Sequence, residues 1–186
     1  MKKNNYKKIA KQVIDLEIQA LKKLKTSINN SFDKAVNAIS KCQSKIILCG
    51  VGKSYLIASK ISATLSSVGC PSFSLAASDS AHGDLGRIQK KDVLILISKS
   101  GDTKEIRPVI QFANRYKITL IGIVSKKNSL LYRASDIKLF IPETKEAGLG
   151  GIVPTSSTTA AMCLGDSLAV AALNKKGFKK KNFKTL

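Results

Sequence analysis

The chain has 186 residues, 44% of them apolar and 24% charged, which excludes a disordered polymer and suits one globular domain with a substantial core. No run approaches the roughly 20 consecutive apolar residues needed to cross a bilayer, and the start MKKNNYKKIAKQVIDLE lacks the apolar centre of a secretion signal, so a cytoplasmic protein is expected. The net charge of +20 comes from 28 lysines and only four arginines scattered along the chain. Arginine is the residue that reads phosphates and bases bidentately. The charge therefore predicts a solubilised surface that attracts a phosphorylated small molecule, and no dedicated nucleic-acid or membrane partner.

Ile9, Val13, Leu16, Ala20 and Leu24 recur every three or four positions, which predicts a helix over 6–26 with lysines on its far side. Phe32, Val36 and Ile39 predict a second over 32–40. Together they form a helical N-terminal segment, residues 1–42, ahead of a main domain over 43–178 and a basic tail over 179–186.

From Lys45 the pattern changes. Short apolar runs at Ile46–Cys49, Pro71–Leu75, Val93–Ile97, Ile118–Val124 and Ile137–Ile141 predict five strands. Helices are expected after the first strand to about Val68, from Thr103 to about Tyr116, near Ser129–Ala134, and from about Ser156 to Asn174. Residues 78–84, SDSAHGD, read as a polar loop. Strands alternating with helices imply right-handed crossovers. The expected fold class is α/β, a three-layer αβα sandwich around a five-stranded parallel sheet, preceded by the helical segment. Pro108 lies past the first turn of a helix starting at Thr103, so a late start or a kink is expected there.

Ligands bind such sheets beyond the carboxyl ends of the strands. That edge holds Gly50–Ser54, Ser98–Thr103 and the loop after Ile141. The GVGKS stretch fails the P-loop pattern, because Ile47 stands where its first glycine belongs, and fails the dinucleotide fingerprint at Tyr55. What remains is a tight turn into a helix, with Lys53 and Ser54 as candidates. Ser98, Ser100 and Thr103 surround Gly101 at a strand-to-helix junction. Capping needs one hydroxyl, so three point to an anion site. Thr155 and Ser156 open a second hydroxyl-rich helix start. His82 is the sole histidine, a residue type whose unperturbed pKa of about 6.5 suits proton transfer. Glu105 and Glu146 follow strand ends and are candidate general bases. Cys42, Cys49, Cys70 and Cys163 show no metal or disulfide spacing. No metal and no cofactor are expected.

These residues carry a resemblance to a known family. GVGKS, PSF at 71–73, AHGDLG at 81–86, SKSGDTKEI at 98–106, KEA at 145–147 and PTSSTTA at 154–160 resemble the sugar-isomerase (SIS) domain of the arabinose-5-phosphate isomerases. The resemblance implies a five-stranded parallel sheet, a homo-oligomer (a tetramer), and a sugar phosphate as partner. It implies interconversion of D-ribulose 5-phosphate and D-arabinose 5-phosphate through a cis-enediol, on the way to the lipopolysaccharide sugar Kdo. It carries catalytic roles to Lys53, Glu105, Glu146 and His82, and substrate contacts to Gly69 and Cys70. Phosphate and substrate contacts then fall on Ser54, Ser98, Ser100, Gly101, Thr103, Thr155 and Ser156. The base and acid stay open among Glu105, Glu146 and His82. The sequence departs from the family pattern with Lys99 for Asn, Tyr55 for Gly and Ala76 for a metal-binding histidine, so no inhibitory metal is expected. Family members continue into a His-Pro-Gly-Gly segment and paired CBS domains, and the sequence stops at Leu186 before either. Two other readings stand beside this one: a hexulose-6-phosphate isomerase, and a non-catalytic sugar-phosphate-binding domain.

Overall fold

The computed structural model describes residues 5–177, apart from the side chains of Ala81, His82 and Leu149. The basic tail at 179–186 lies outside the described residues. Two N-terminal helices, α1 (Tyr6–Ser27) and α2 (Asn30–Ser40), lead in. There follow β1 (Ile46–Gly50), α3 (Lys53–Ser67), β2 (Ser72–Ala76), β3 (Val93–Ile97), α4 (Ile106–Arg115) and β4 (Thr119–Val124). The chain continues through α5 (Leu130–Ala134), β5 (Ile137–Phe140) and α6 (Ser156–Lys175). The five strands form one all-parallel sheet in the order β2-β1-β3-β4-β5.

Each central strand is buried on both faces, which is why it reads as an unbroken apolar run. Alternate residues serve opposite cores. Leu48, Ile95 and Ile123 pack under α3 and α6 together with Leu24 of α1 and Val36 of α2. Cys49, Leu94 and Leu96 face the other way, against Ile106, Val109 and Ile110 of α4 and Leu131 of α5. The lead-in helices therefore belong to the same core as the main domain. All four cysteines are free, and burial pushes the Cys49 thiol up to about 12, so it remains a small protonated hydrophobe. No described helix is long and apolar enough to cross a membrane.

Of two local expectations, the late helix start that Pro108 called for is observed and the open loop at 78–84 is corrected. Helix α4 begins at Ile106, not at Thr103, and this places Pro108 in the first turn. Backbone N–H groups there have no intrahelical acceptor, so a proline costs nothing. Glu105 is consequently the residue before the helix, at its N-cap position. The SDSAHGD stretch is no open loop: it winds into 3-10 turns at Ala77–His82 and Asp84–Arg87, separated by Gly83 at φ +97°. Buried Ala77 and Ser80 tuck the first turn against the protein.

Candidate active site

After β1 the chain crosses to β2 on one side, whereas β3, β4 and β5 follow on the other. The crevice between the carboxyl ends of β1 and β3 is thus the switch point of the sheet, where such folds take their ligands. A cleft of about 350 Å³ lies there. Val51 and Ser54 line it from the β1 side, Ser98, Lys99, Ser100 and Thr103 from the β3 side, and Lys126 from beyond β4.

The loop after β3 is a small hydrogen-bonded structure in its own right. Ser98 Oγ accepts the Gly101 N–H at 3.0 Å, and Ser98 Oγ and Ser100 Oγ each lie 3.3 Å from Thr103 Oγ1. Gly101 has φ +69°, and a Cβ there would drive into the Ser129 side chain and Val124. Neighbouring segments hold the loop from outside. Asp102 Oδ1 accepts the Leu130 N–H at 2.9 Å, Gly101 O accepts the Leu131 N–H at 3.0 Å, and Lys99 O accepts the Ser125 N–H at 3.1 Å. The result is a fixed cluster of three hydroxyl groups at the mouth of the crevice, of a kind that can donate to an anion.

Glu146, the candidate base after β5, is buried. It is 5% exposed. Its Oε2 accepts the N–H groups of Thr155 at 2.9 Å and Ser157 at 3.2 Å, which caps the start of α6 from outside the helix. Thr155 Oγ1 returns the contact by accepting the Ala147 N–H at 2.9 Å. Lys99 Nζ donates to Glu146 Oε1 at 2.6 Å, tying the loop after β5 to the loop after β3. Burial alone raises a carboxyl pKa, but the Lys99 ammonium, the Ser157 hydroxyl and the two backbone donors outweigh it. They hold Glu146 down at about 2.

The other sequence candidates fall in three groups. Ser54, Ser98, Ser100 and Thr103 meet at the cleft. Lys53 and Glu105 are exposed, each one residue from a lining residue, at the starts of α3 and α4. The backbone of His82 ends the 3-10 turn beyond β2, and its side chain lies outside the described residues. Ser156 is fully buried, its hydroxyl without a partner among the described residues, and Thr155 is occupied with Ala147 and Glu146. Neither lines the cleft, because the capping geometry turns both inward. Gly69 and Cys70 are not brought to the site either. They join the end of α3 to the start of β2, at the amino ends of the strands, with the Cys70 N–H on Leu65 O. Within this chain they stand apart from the cleft.

Residues 39–171 match the SIS domain family. The chain belongs to the SIS domain family. Among relatives, the arabinose 5-phosphate isomerase KdsD of Yersinia pestis is 40% identical over 179 residues, which are 96% of this chain and 55% of that one. KdsD of Francisella tularensis is 42% identical over 177 residues, 94% of this chain and 54% of that one. The chain thus spans about half the length of these relatives. Among solved structures, E. coli CFT073 c3406 in complex with arabinose 5-phosphate superposes with a TM-score of 0.92 at 34% identity, covering 98% of both chains.

Two members of this SIS cleft belong to no sequence signal of their own. Lys99 reads in the sequence only as a departure from a pattern, and its partner is 47 residues away. Lys126 lies in no motif, although it stands two residues after β4, on the same carboxyl edge as the other loops. The strand-end rule, applied to every strand, is the signal that finds it.

The SIS domain should also show a specific acid response. A group held below its unfolded value stabilises the fold above that value and stops doing so as pH falls through the folded one. For Glu146 the window runs from 4.5 down to about 2. Across it the contribution, on the order of 3 kcal/mol, disappears. In urea melts, Glu146→Gln should be clearly less stable than wild type at pH 6 and converge with it towards pH 2. A difference that stays constant with pH would show that the carboxylate charge is not what holds α6.

Proposed function

We propose that this SIS-domain protein is an aldose–ketose isomerase that interconverts D-ribulose 5-phosphate and D-arabinose 5-phosphate, feeding Kdo formation. The observation that carries the reading is the fixed three-hydroxyl loop in the β1/β3 crevice, in a chain that superposes along 98% of its length on a protein complexed with arabinose 5-phosphate. Ser98, Ser100 and Thr103 grip the phosphate with Lys126 beside them, which fixes the reacting carbons at the open end of the cleft.

Glu105 is our base. It is exposed, with no hydrogen-bond acceptor role among the described residues, whereas a carboxylate held at about 2 and bonded through both oxygens, as Glu146 is, is a weak one. From the aldose, Glu105 takes the C2 proton and returns it to C1. The electron pair passes through the enediolate, whose developing charge Lys53 stabilises. His82 transfers the proton between the two oxygens. Glu146 keeps α6 and the β3 loop in register.

We further propose an assembly of identical chains, a tetramer, for which exposed Ile9, Ile14 and Ile18 on α1 and Val170 on α6 supply apolar contact surface. Charged sugar phosphates are retained within the cytoplasm, which we take as the compartment.

The test is incubation with ribulose 5-phosphate, followed by carbon-13 NMR, on protein whose mass is read by light scattering. Arabinose 5-phosphate should accumulate to equilibrium. Binding without turnover would leave a sugar-phosphate-binding domain, and turnover only of a hexulose 6-phosphate would reassign the substrate.

A further inference from the structure

A pocket built to accept a phosphate dianion should not have an unscreened carboxylate behind its wall. Here a residue of the cleft lining, Lys99, carries its ammonium onto a buried carboxylate, Glu146. Lys99 lines the cleft alongside Ser98, Ser100 and Thr103, and its Nζ lies 2.6 Å from Glu146 Oε1. The two ends of the pair differ in setting. The Glu146 side chain is 4% exposed and the Lys99 side chain 50%. The carboxylate cannot move away, because its other oxygen is committed to the first N–H groups of α6. Its negative charge is thus a fixed part of the site. In a partly desolvated setting such a charge acts over several ångströms, since solvent screens it poorly.

We propose that Lys99 is a positioning residue that masks the Glu146 charge, making the cleft electrostatically able to receive a phosphate while the carboxylate continues to cap α6. Lys99 therefore acts on the ligand through Glu146. Lys126 differs: it lines the same cleft and forms no ion pair among the described residues, so its charge is available to the ligand directly. Two lysines of one cleft thus do different work, one neutralising the wall and one facing the anion. The proposal rests on reading the cleft as a phosphate site, and its test needs no isomerase turnover.

The experiment is a double-mutant cycle read by binding of inorganic phosphate, followed by phosphorus-31 NMR. Lys99→Gln should weaken phosphate binding about tenfold, because it exposes the carboxylate. Lys99→Arg, which keeps the charge, should stay within about threefold of wild type. Glu146→Gln retains an acceptor oxygen for the α6 N–H groups, and combined with Lys99→Gln it should restore affinity to within about twofold. If the double variant binds as weakly as Lys99→Gln alone, Lys99 contacts the phosphate directly and the masking role is overturned. Unchanged affinity in Lys99→Gln overturns it as well. A wild-type protein that binds no phosphate removes the phosphate site and this role together. Should the double variant fail to fold, carbon-13 NMR of the Glu146 carboxyl in Lys99→Gln reads the same pairing. Its titration should move upward from wild type, and an unmoved titration contradicts the proposal.

Discussion

Lys53→Ala is expected to cut isomerase turnover by a factor on the order of 100 to 1000, while phosphate affinity stays within about threefold. Lys53 is the first residue of α3, exposed at the carboxyl edge of the sheet and directly followed by the cleft residue Ser54. Among the described residues it has no ion-pair partner, so its ammonium is available to a developing negative charge. It is not among the residues lining the cleft, which is why ground-state binding should be nearly indifferent to its loss. A group that meets charge only in the transition state lowers kcat and kcat/KM together. Steady-state kinetics with ribulose 5-phosphate separates the cases. A rise in KM at constant kcat would move Lys53 from the reaction to simple binding.

Gly50→Ala should damage both the fold and the site. Gly50 ends β1 against the first turn of α3, and a Cβ there would sit 2.7 Å from the Ser54 carbonyl carbon and 2.9 Å from both Ser54 O and Tyr55 N. These are backbone atoms, which cannot rotate aside as a long side chain can. Either α3 lifts from the strand or the strand end is lost, and both movements carry Lys53 and Ser54 out of place. The overpacking costs about 3 kcal/mol. For a chain of this size that is a fall in Tm of roughly 6–12 °C, accompanied by loss of phosphate binding. Gly86→Ala is the matched control, since nothing lies within 4 Å of a Cβ there. Calorimetry showing equal Tm values for the two variants would contradict the close-packed turn.

The sheet was legible because its strands are buried on both faces. A residue run such as Val93–Ile97 has no other stable use at that length, and its ends coincide with the observed strand. The start of α4 was harder. Serine and threonine signal caps, and Thr103 is a suitable one, but the proline rule sets the helix three residues later. Pro108 already carried that information. The hydroxyl loop could be read from strand-to-helix chemistry, since all its members are within six residues of one another. Glu146 could not be read in the same way. Its environment is made by Lys99, Thr155 and Ser157, which only the folded chain brings together. Gly69 and Cys70 show the opposite case. Family likeness nominated them, and the direction of the strands puts them at the far end of the sheet.

The loop between β3 and α4 is held at Asp102, Gly101 and Lys99 by the chain that follows β4. Its freedom is therefore given up when the domain folds and not again at each encounter with a ligand. A binding loop already in its final shape imposes no slow closing step. On the proposed function, capture should then be set largely by how fast a phosphorylated sugar diffuses to the mouth of the cleft, drawn by a chain of net charge +20. The uniform excess of lysine, which explains little about the fold, would on that function acquire a kinetic meaning: it should set how often an anion visits the loop, and added salt should slow those visits without altering the loop.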